Sequence, residues 1–208
     1  MNASSPHTEL TSFLLLAKQH VIGLFKRHWQ PYLHYHNLQH TQQVVENVIM
    51  LATHYELNPV DCAILETAAW FHDTGHLFGP TLGHEEAGVA RFYEFLNDHP
   101  CDAIPAERIA LCILSTKMPQ QPSTFLGAII CDADTYHLGT AQFSVTDALL
   151  KREITERTGA VPAHWEVNTL DLLRTHRYHT SYCYLKQEAG KQRNYEQYLE
   201  KAQSMMLL

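Results

Sequence analysis

Apolar positions recur along this chain at intervals of three and four residues, and no stretch alternates in the manner of a half-buried strand. The pattern predicts an all-α protein of about eight or nine helices. A first helix is expected over about 8–28, opened by Ser5-Pro6. Trp29 to His36 is aromatic and irregular. Asn37 is placed to cap a second helix running to about Tyr55, on which Val44, Val48, Leu51 and Tyr55 form one apolar stripe. Asn58-Pro59 opens a third helix, and Thr74-Gly75 is a stop signal for it. Residues 75–83 carry three glycines and Pro80 and read as a loop. Further helices are expected near 84–97, 105–116, 124–138, 141–158, 164–177 and 185–204, punctuated by Pro100, Pro105, Pro119, Pro122 and Pro162. With no internal repeat and no long linker, the chain reads as a single domain over 1–208.

Several polar residues interrupt the apolar faces. His40 lies four positions before Val44, on the inward stripe of the second helix. His72 and Asp73 follow directly on Ala68-Ala69-Trp70-Phe71, in register with Leu65, Ala68 and Ala69. Neighbouring side chains on a helix diverge by ~100°, yet in a last turn both can reach one point beyond the helix end. Asp134 stands four residues after Ile130 in a segment otherwise fit for a core, where an unpaired carboxylate would be costly. A lone inward histidine is most often a hydrogen-bonded core residue. Two imidazoles and two carboxylates on the inner faces of three helices point instead to a divalent metal. Nitrogen and oxygen donors without thiolate suit Mn, Fe, Co, Ni, Zn or Mg alike. Such an ion acidifies bound water and offsets charge on a phosphoryl group.

Composition narrows this picture. A formal net charge of −7 argues against a general nucleic-acid or anionic-membrane binder, while leaving room for a local phosphate pocket. No apolar run approaches the ~18 residues of a membrane span. The N-terminus has no basic leader region, so a cytoplasmic protein is expected. The five cysteines are scattered, odd in number and never paired as Cys-x-x-Cys, which suggests reduced thiols and no Cys-type zinc site. The 15 histidines stand out, many of them within the first 84 residues. The apolar end Met205-Met206-Leu207-Leu208 suggests packing or a homodimer contact.

Three segments, Tyr35-His36-Asn37-Leu38-Gln39-His40, Trp70-Phe71-His72-Asp73 and Cys131-Asp132-Ala133-Asp134, resemble the signatures of the HD superfamily of metal-dependent phosphohydrolases. The resemblance is strongest over about 32–139, the motif core, with 141–208 as a helical C-terminal extension. It is closest to an uncharacterised bacterial branch described as predicted metal-dependent HD phosphohydrolases. It implies a single-domain HD-type helical bundle with His40, His72, Asp73 and one late aspartate as metal ligands. In the family that aspartate follows a small residue, which selects Asp134, with Asp132 as the fallback. Binuclear members use two further histidines between the HD pair and the last aspartate. His84 matches the first, but none stands near Ser115-Thr116, where the second would fall. One divalent ion is therefore expected, with His84 touching substrate or ligands rather than metal. His36, four residues before His40, could be a ligand, but the turn before Asn37 favours contact with the ligands instead. Some members activate water with a glutamate just after the HD pair. Here His76 occupies that neighbourhood, either as the proton-handling group or as a solvated histidine closing the helix. Glu85 and Glu86 are rival bases, although acidic residues at a helix start are also ordinary. Lys117 is a candidate phosphate contact, or simply a lysine at a helix C-terminus. Arg152, Arg174 and Arg177 could reach an anion, but on helices more often form surface pairs.

The expected function is a phosphohydrolase that cleaves a small phosphorylated compound, of nucleotide type by family analogy, through attack of metal-bound water. The alternative is a metal-containing nucleotide sensor without useful turnover. A di-iron oxygenase is disfavoured by the missing histidine near Ser115.

Overall fold

A computed structural model describes residues 6–206, with side chains from Thr8 to Gln203. Among the described residues there are nine α-helices and no strand, as the periodicity predicts. They are α1 (Pro6–His28), α2 (Leu38–His54), α3 (Pro59–Phe71), α4 (His84–Asp98), α5 (Ala106–Ser115), α6 (Phe125–Asp134), α7 (Phe143–Thr158), α8 (Trp165–Thr175) and α9 (Ser181–Met206). Short 3-10 turns follow α3 at Thr74–Leu77 and α6 at Thr135–Gly139. Of the apolar end expected at a dimer contact, Leu207 and Leu208 lie outside the described residues, as do the side chains of Met205 and Met206.

Both predicted asparagine caps are present. Asn37 Oδ1 accepts from the His40 amide at 3.0 Å, and Asn58 Oδ1 accepts from the Asp61 amide at 3.0 Å with Pro59 in the first turn. Each such cap stabilises its helix by about 1 kcal/mol.

Other boundaries differ from expectation. The third helix stops at Phe71 rather than at Thr74-Gly75, because the Thr74 hydroxyl donates to the Phe71 carbonyl at 2.8 Å and the chain tightens into a 3-10 turn. The loop expected over 75–83 is thereby reduced to 78–83. The helix expected over 124–138 changes to 3-10 geometry after Asp134, and α9 begins at Ser181 rather than 185.

The chain divides into two compact units, Met1–Gln30 with His36–Asp134, and Pro31–Tyr35 with Thr135–Leu208. In the first, α3 is the central element and packs against α1, α2, α5 and α6. It is apolar nearly all round, as a central helix must be. Ile64, Leu65, Ala68, Ala69 and Phe71 are fully buried. They meet a core that includes Val48 and Leu51 of α2, Ile109 and Ile113 of α5, and Ile129 and Ile130 of α6. The Phe71 ring lies 5.7 Å from Phe92 and 5.4 Å from Phe95 of α4. Burying each large side chain contributes about 1.5–3 kcal/mol.

Two glycines let α4 approach the end of α3. A Cβ on Gly88 would lie 2.8 Å from the Phe71 carbonyl oxygen and 3.0 Å from that of His72. A Cβ on Gly75 would lie 2.0 Å from the His84 carbonyl oxygen. A mid-helix glycine costs about 1 kcal/mol against alanine, and Gly88 is retained because backbone occupies the space a side chain would need.

The second unit has its own core of Leu138, Phe143, Leu173 and Tyr198. Polar side chains tie it together. Asp147 accepts from Trp165 Nε1, Thr169 Oγ1 and Tyr198 Oη at 2.8–2.9 Å. Asn194 Nδ2 donates to the carbonyls of Leu138 and Thr140 at 2.8 and 2.9 Å. Buried His176 places Nε2 3.0 Å from Thr135 Oγ1, and its carbonyl accepts from Lys191 at 2.7 Å.

Candidate metal centre

Three helices of the first unit deliver the predicted ligands to one point. His40 sits in the first turn of α2, on its inward stripe. His72 caps the C-terminus of α3, and Asp73 follows it with φ −102° and ψ 1°, outside the helix. This departure from helical geometry lets adjacent residues face the same place. Asp134 is the last residue of α6.

His40 Nε2 lies 3.3 Å from Asp73 Oδ2 and 3.2 Å from Asp134 Oδ1. His72 Nε2 lies 3.2 and 3.7 Å from the same two oxygens. His72 Nδ1 is 2.8 Å from the Ala69 carbonyl, which can only accept, so Nδ1 carries a proton. In the neutral ring the Nε2 lone pair then faces the centre, the arrangement that fixes a metal-binding imidazole. His72 Nε2 and Asp73 Oδ2 are buried without a well-aligned hydrogen bond. Leaving such groups unsatisfied costs about 1–3 kcal/mol each, and a cation at this point would satisfy both. The donor set therefore fits a divalent metal.

The electrostatics agree. Burial alone would lower the His40 pKa, but the Asp134 and Asp73 carboxylates outweigh it and raise it to about 10. Burial likewise opposes the charged form of His72, and Asp73 and Asp134 push its pKa up. For Asp73 burial acts upward but is outweighed by His72, His36 and His40, which hold the carboxyl well below the usual range. Asp134 is held down against its burial by His40 and His72. The two carboxylates thus make this a point where positive charge is favoured.

Asp73 faces both ways. Its Oδ1 lies 3.9 Å from His76 Nε2 and 3.6 Å from His84 Nε2. The rings of His36, His76 and His84 form a stack with His76 in the middle, each neighbouring pair of centroids 3.9 Å apart and tilted by 24°. Among the described residues, two groups have metal-ligand geometry: His40, His72 and Asp134, and His36, Asp73 and His76. A second group was not anticipated. The expectation of one ion rested on the lack of histidine at Ser115-Thr116, whereas the additional imidazoles come from the segment before α2 and the turn after α3. The His36-x-x-x-His40 and Asp73-x-x-His76 spacings carried that signal. The solvated-loop reading of His76 is also corrected, since the 3-10 turn buries it completely.

The remaining predicted residues sort clearly. Asp132 is fully buried and belongs to neither group. Glu85 is buried, with Oε2 3.4 Å from His84 Nδ1, while the Thr81 carbonyl takes that nitrogen at 2.8 Å. Lys117 is half exposed and paired with Glu86 rather than placed among the histidines. Arg152 pairs with Glu156 and Arg174 with Asp171, and Arg177 donates to the carbonyls of Arg174 and His176. The five cysteines are free thiols outside both groups, and burial pushes Cys112 up to about 12. No helix among the described residues is long and apolar enough to cross a membrane. Comparisons with protein-family models, with curated proteins and with solved structures return no match.

Proposed function

We propose that this chain is a metal-dependent phosphohydrolase acting on a small phosphorylated compound of the nucleotide class. The observation that carries the reading is the convergence of His40, His72, Asp73 and Asp134 from three helices, with nitrogen and oxygen atoms 3.2–3.7 Å apart. The nucleotide assignment draws on the resemblance of the sequence motifs to the HD superfamily. When bound, a divalent ion here supplies an acidified water and offsets charge on the phosphoryl oxygens.

The surrounding residues have separate tasks. The Ala69 carbonyl holds the His72 ring, and the Thr81 carbonyl holds His84 with Nε2 toward Asp73. His84 is thereby placed to pass a proton to the leaving group, with Glu85 Oε2 3.4 Å from its Nδ1. His76, buried between His36 and His84, belongs with the Asp73 Oδ1 group rather than acting as a solvent-facing base. Lys117 would contact phosphate only by leaving Glu86, an exposed pair of a kind that is weak.

The test begins with elemental analysis of protein purified without chelator. Wild type should carry a divalent metal. His72→Ala and Asp73→Ala should each lose it while keeping a helical circular-dichroism spectrum. Full occupancy in either variant overturns the metal reading. A phosphate-release screen over nucleotides and sugar phosphates, with Mn, Fe, Co, Ni, Zn and Mg in turn, should then show turnover in wild type that both variants lack. Bound metal without turnover across that panel would make the chain a sensor instead.

A further inference from the structure

We infer that Asn47 is a positioning residue, holding the end of α6 so that Asp134 reaches the metal ligands. The inference rests on the metal-centre reading above. Asn47 lies seven residues after His40, two turns along the same inward stripe of α2, between Val44, Val48 and Leu51. It is a buried polar side chain in an otherwise apolar row. A buried amide is costly unless its hydrogen-bonding groups are matched, so its presence in that row calls for a specific partner.

That partner is the chain beside Asp134. Asn47 Nδ2 donates to the Ala133 carbonyl at 2.9 Å. A carbonyl only accepts, so the amide must present its nitrogen to α6, and the orientation is fixed by chemistry. Gln43 Nε2, one turn earlier on α2, lies 3.5 Å from Asn47 Oδ1 and supports the same orientation. The carbonyls of a helix's last turn have no intrahelical donor. Ala133 is in that turn, immediately before Asp134, where α6 gives way to 3-10 geometry. Asn47 supplies a side-chain donor at the point where the ligand leaves the helix.

One helix therefore carries both a ligand and the brace for another. His40 near the start of α2 faces Asp134 at 3.2 Å, and Asn47 two turns on grips the residue before it. The spacing of His40 and Asp134 is set by this packed pair of helices. Groups that hold ligands in place commonly change metal affinity by about 10–100-fold when removed.

A purely structural role for the amide predicts a different outcome, and the test separates the two. Co²⁺ affinity is measured by competition with a chromophoric chelator, and thermal stability is measured on the metal-free protein. Asn47→Leu keeps the bulk and removes the donor. Asn47→Asp keeps the shape and presents only acceptors when ionised. Val48→Ala removes buried bulk from the same row of α2 and leaves the Asn47 amide in place. Both Asn47 variants should bind Co²⁺ about 10–100-fold more weakly than wild type. They should also change the shape of its visible absorption band, while Val48→Ala lowers the melting temperature with affinity within about twofold. Wild-type Co²⁺ affinity in a folded Asn47 variant overturns the inference, and so does an equal loss in Val48→Ala. If Asn47→Leu does not fold, Asn47→Asp decides. If wild type itself binds no Co²⁺ or any other divalent metal, the metal-centre reading fails and the inference falls with it.

Discussion

Two aspartates two residues apart meet different surroundings at the end of α6. Asp134 Oδ1 faces His40 and His72, whereas Asp132 is fully buried and belongs to neither metal-type group. Asp134→Asn should therefore strip the metal, and Asp132→Asn should retain most of it, as read by elemental analysis of the purified variants. Loss of metal from Asp132→Asn alone would reverse the assignment. At this scale the sequence was informative because three of the four candidate ligands, His40, His72 and Asp134, lie on or at the end of helices, and helical periodicity states which face each occupies. Asp73 shows the limit. Its side chain reaches the centre because the backbone leaves helical geometry at that residue, a local event that periodicity does not encode.

Among the helices, those with caps or a clear apolar stripe were legible. Asn37, Asn58 and the Val44-Val48-Leu51 row each mark an element correctly. The turn Thr74–Leu77 was not legible, since three glycines over nine residues carry the composition of an open loop. What orders it is tertiary: the Thr74 hydroxyl takes the Phe71 carbonyl, and Gly75 fits against the His84 backbone. That turn buries His76 beside Asp73 and creates the second group of candidate ligands. Protein saturated with Mn²⁺ should accordingly hold two ions per chain, and His76→Ala should hold one. Anomalous scattering and elemental analysis both count them. A single ion in wild type at saturation would leave the His36-His76-His84 stack with a structural role. Gly88→Ala offers a separate check on the α3–α4 approach. A Cβ 2.8 Å from the Phe71 carbonyl oxygen must push the helices apart, and overpacking of this kind typically costs about 1–3 kcal/mol, measurable by denaturant unfolding of the metal-free protein.

For the molecule as a whole, net charge and the absence of an apolar span only bound the function, and stability against acid is the more specific consequence. His176 is buried in the second unit, where burial, followed by Lys191 and nearby histidines, lowers its pKa to about 3. Above about pH 6.5 the ring is neutral in both folded and unfolded chains and has no effect on the balance. Between about 6.5 and 3 the unfolded chain takes up a proton that the folded chain refuses, so stability falls as pH falls. Below about 3 both forms are protonated and the penalty is constant. The full penalty is of the order of a few kcal/mol. His176→Gln should flatten unfolding free energy across that window at the cost of a lower plateau near neutrality. An unchanged slope in the variant would assign the acid sensitivity to other groups.

Asp73 has one negative charge and presents it to two places, Oδ2 toward His40 and His72, Oδ1 toward His76 and His84. A cation settling on one side draws on charge that the other side also needs, and adds its own repulsion across a single carboxylate. Ions at the two positions would therefore oppose one another, the second needing a higher free-metal concentration than the first. Metal content would then become a graded readout of availability. One chain would exist as a singly loaded form when metal is scarce and a doubly loaded form when it is plentiful, with the two forms offering a phosphate different amounts of positive charge.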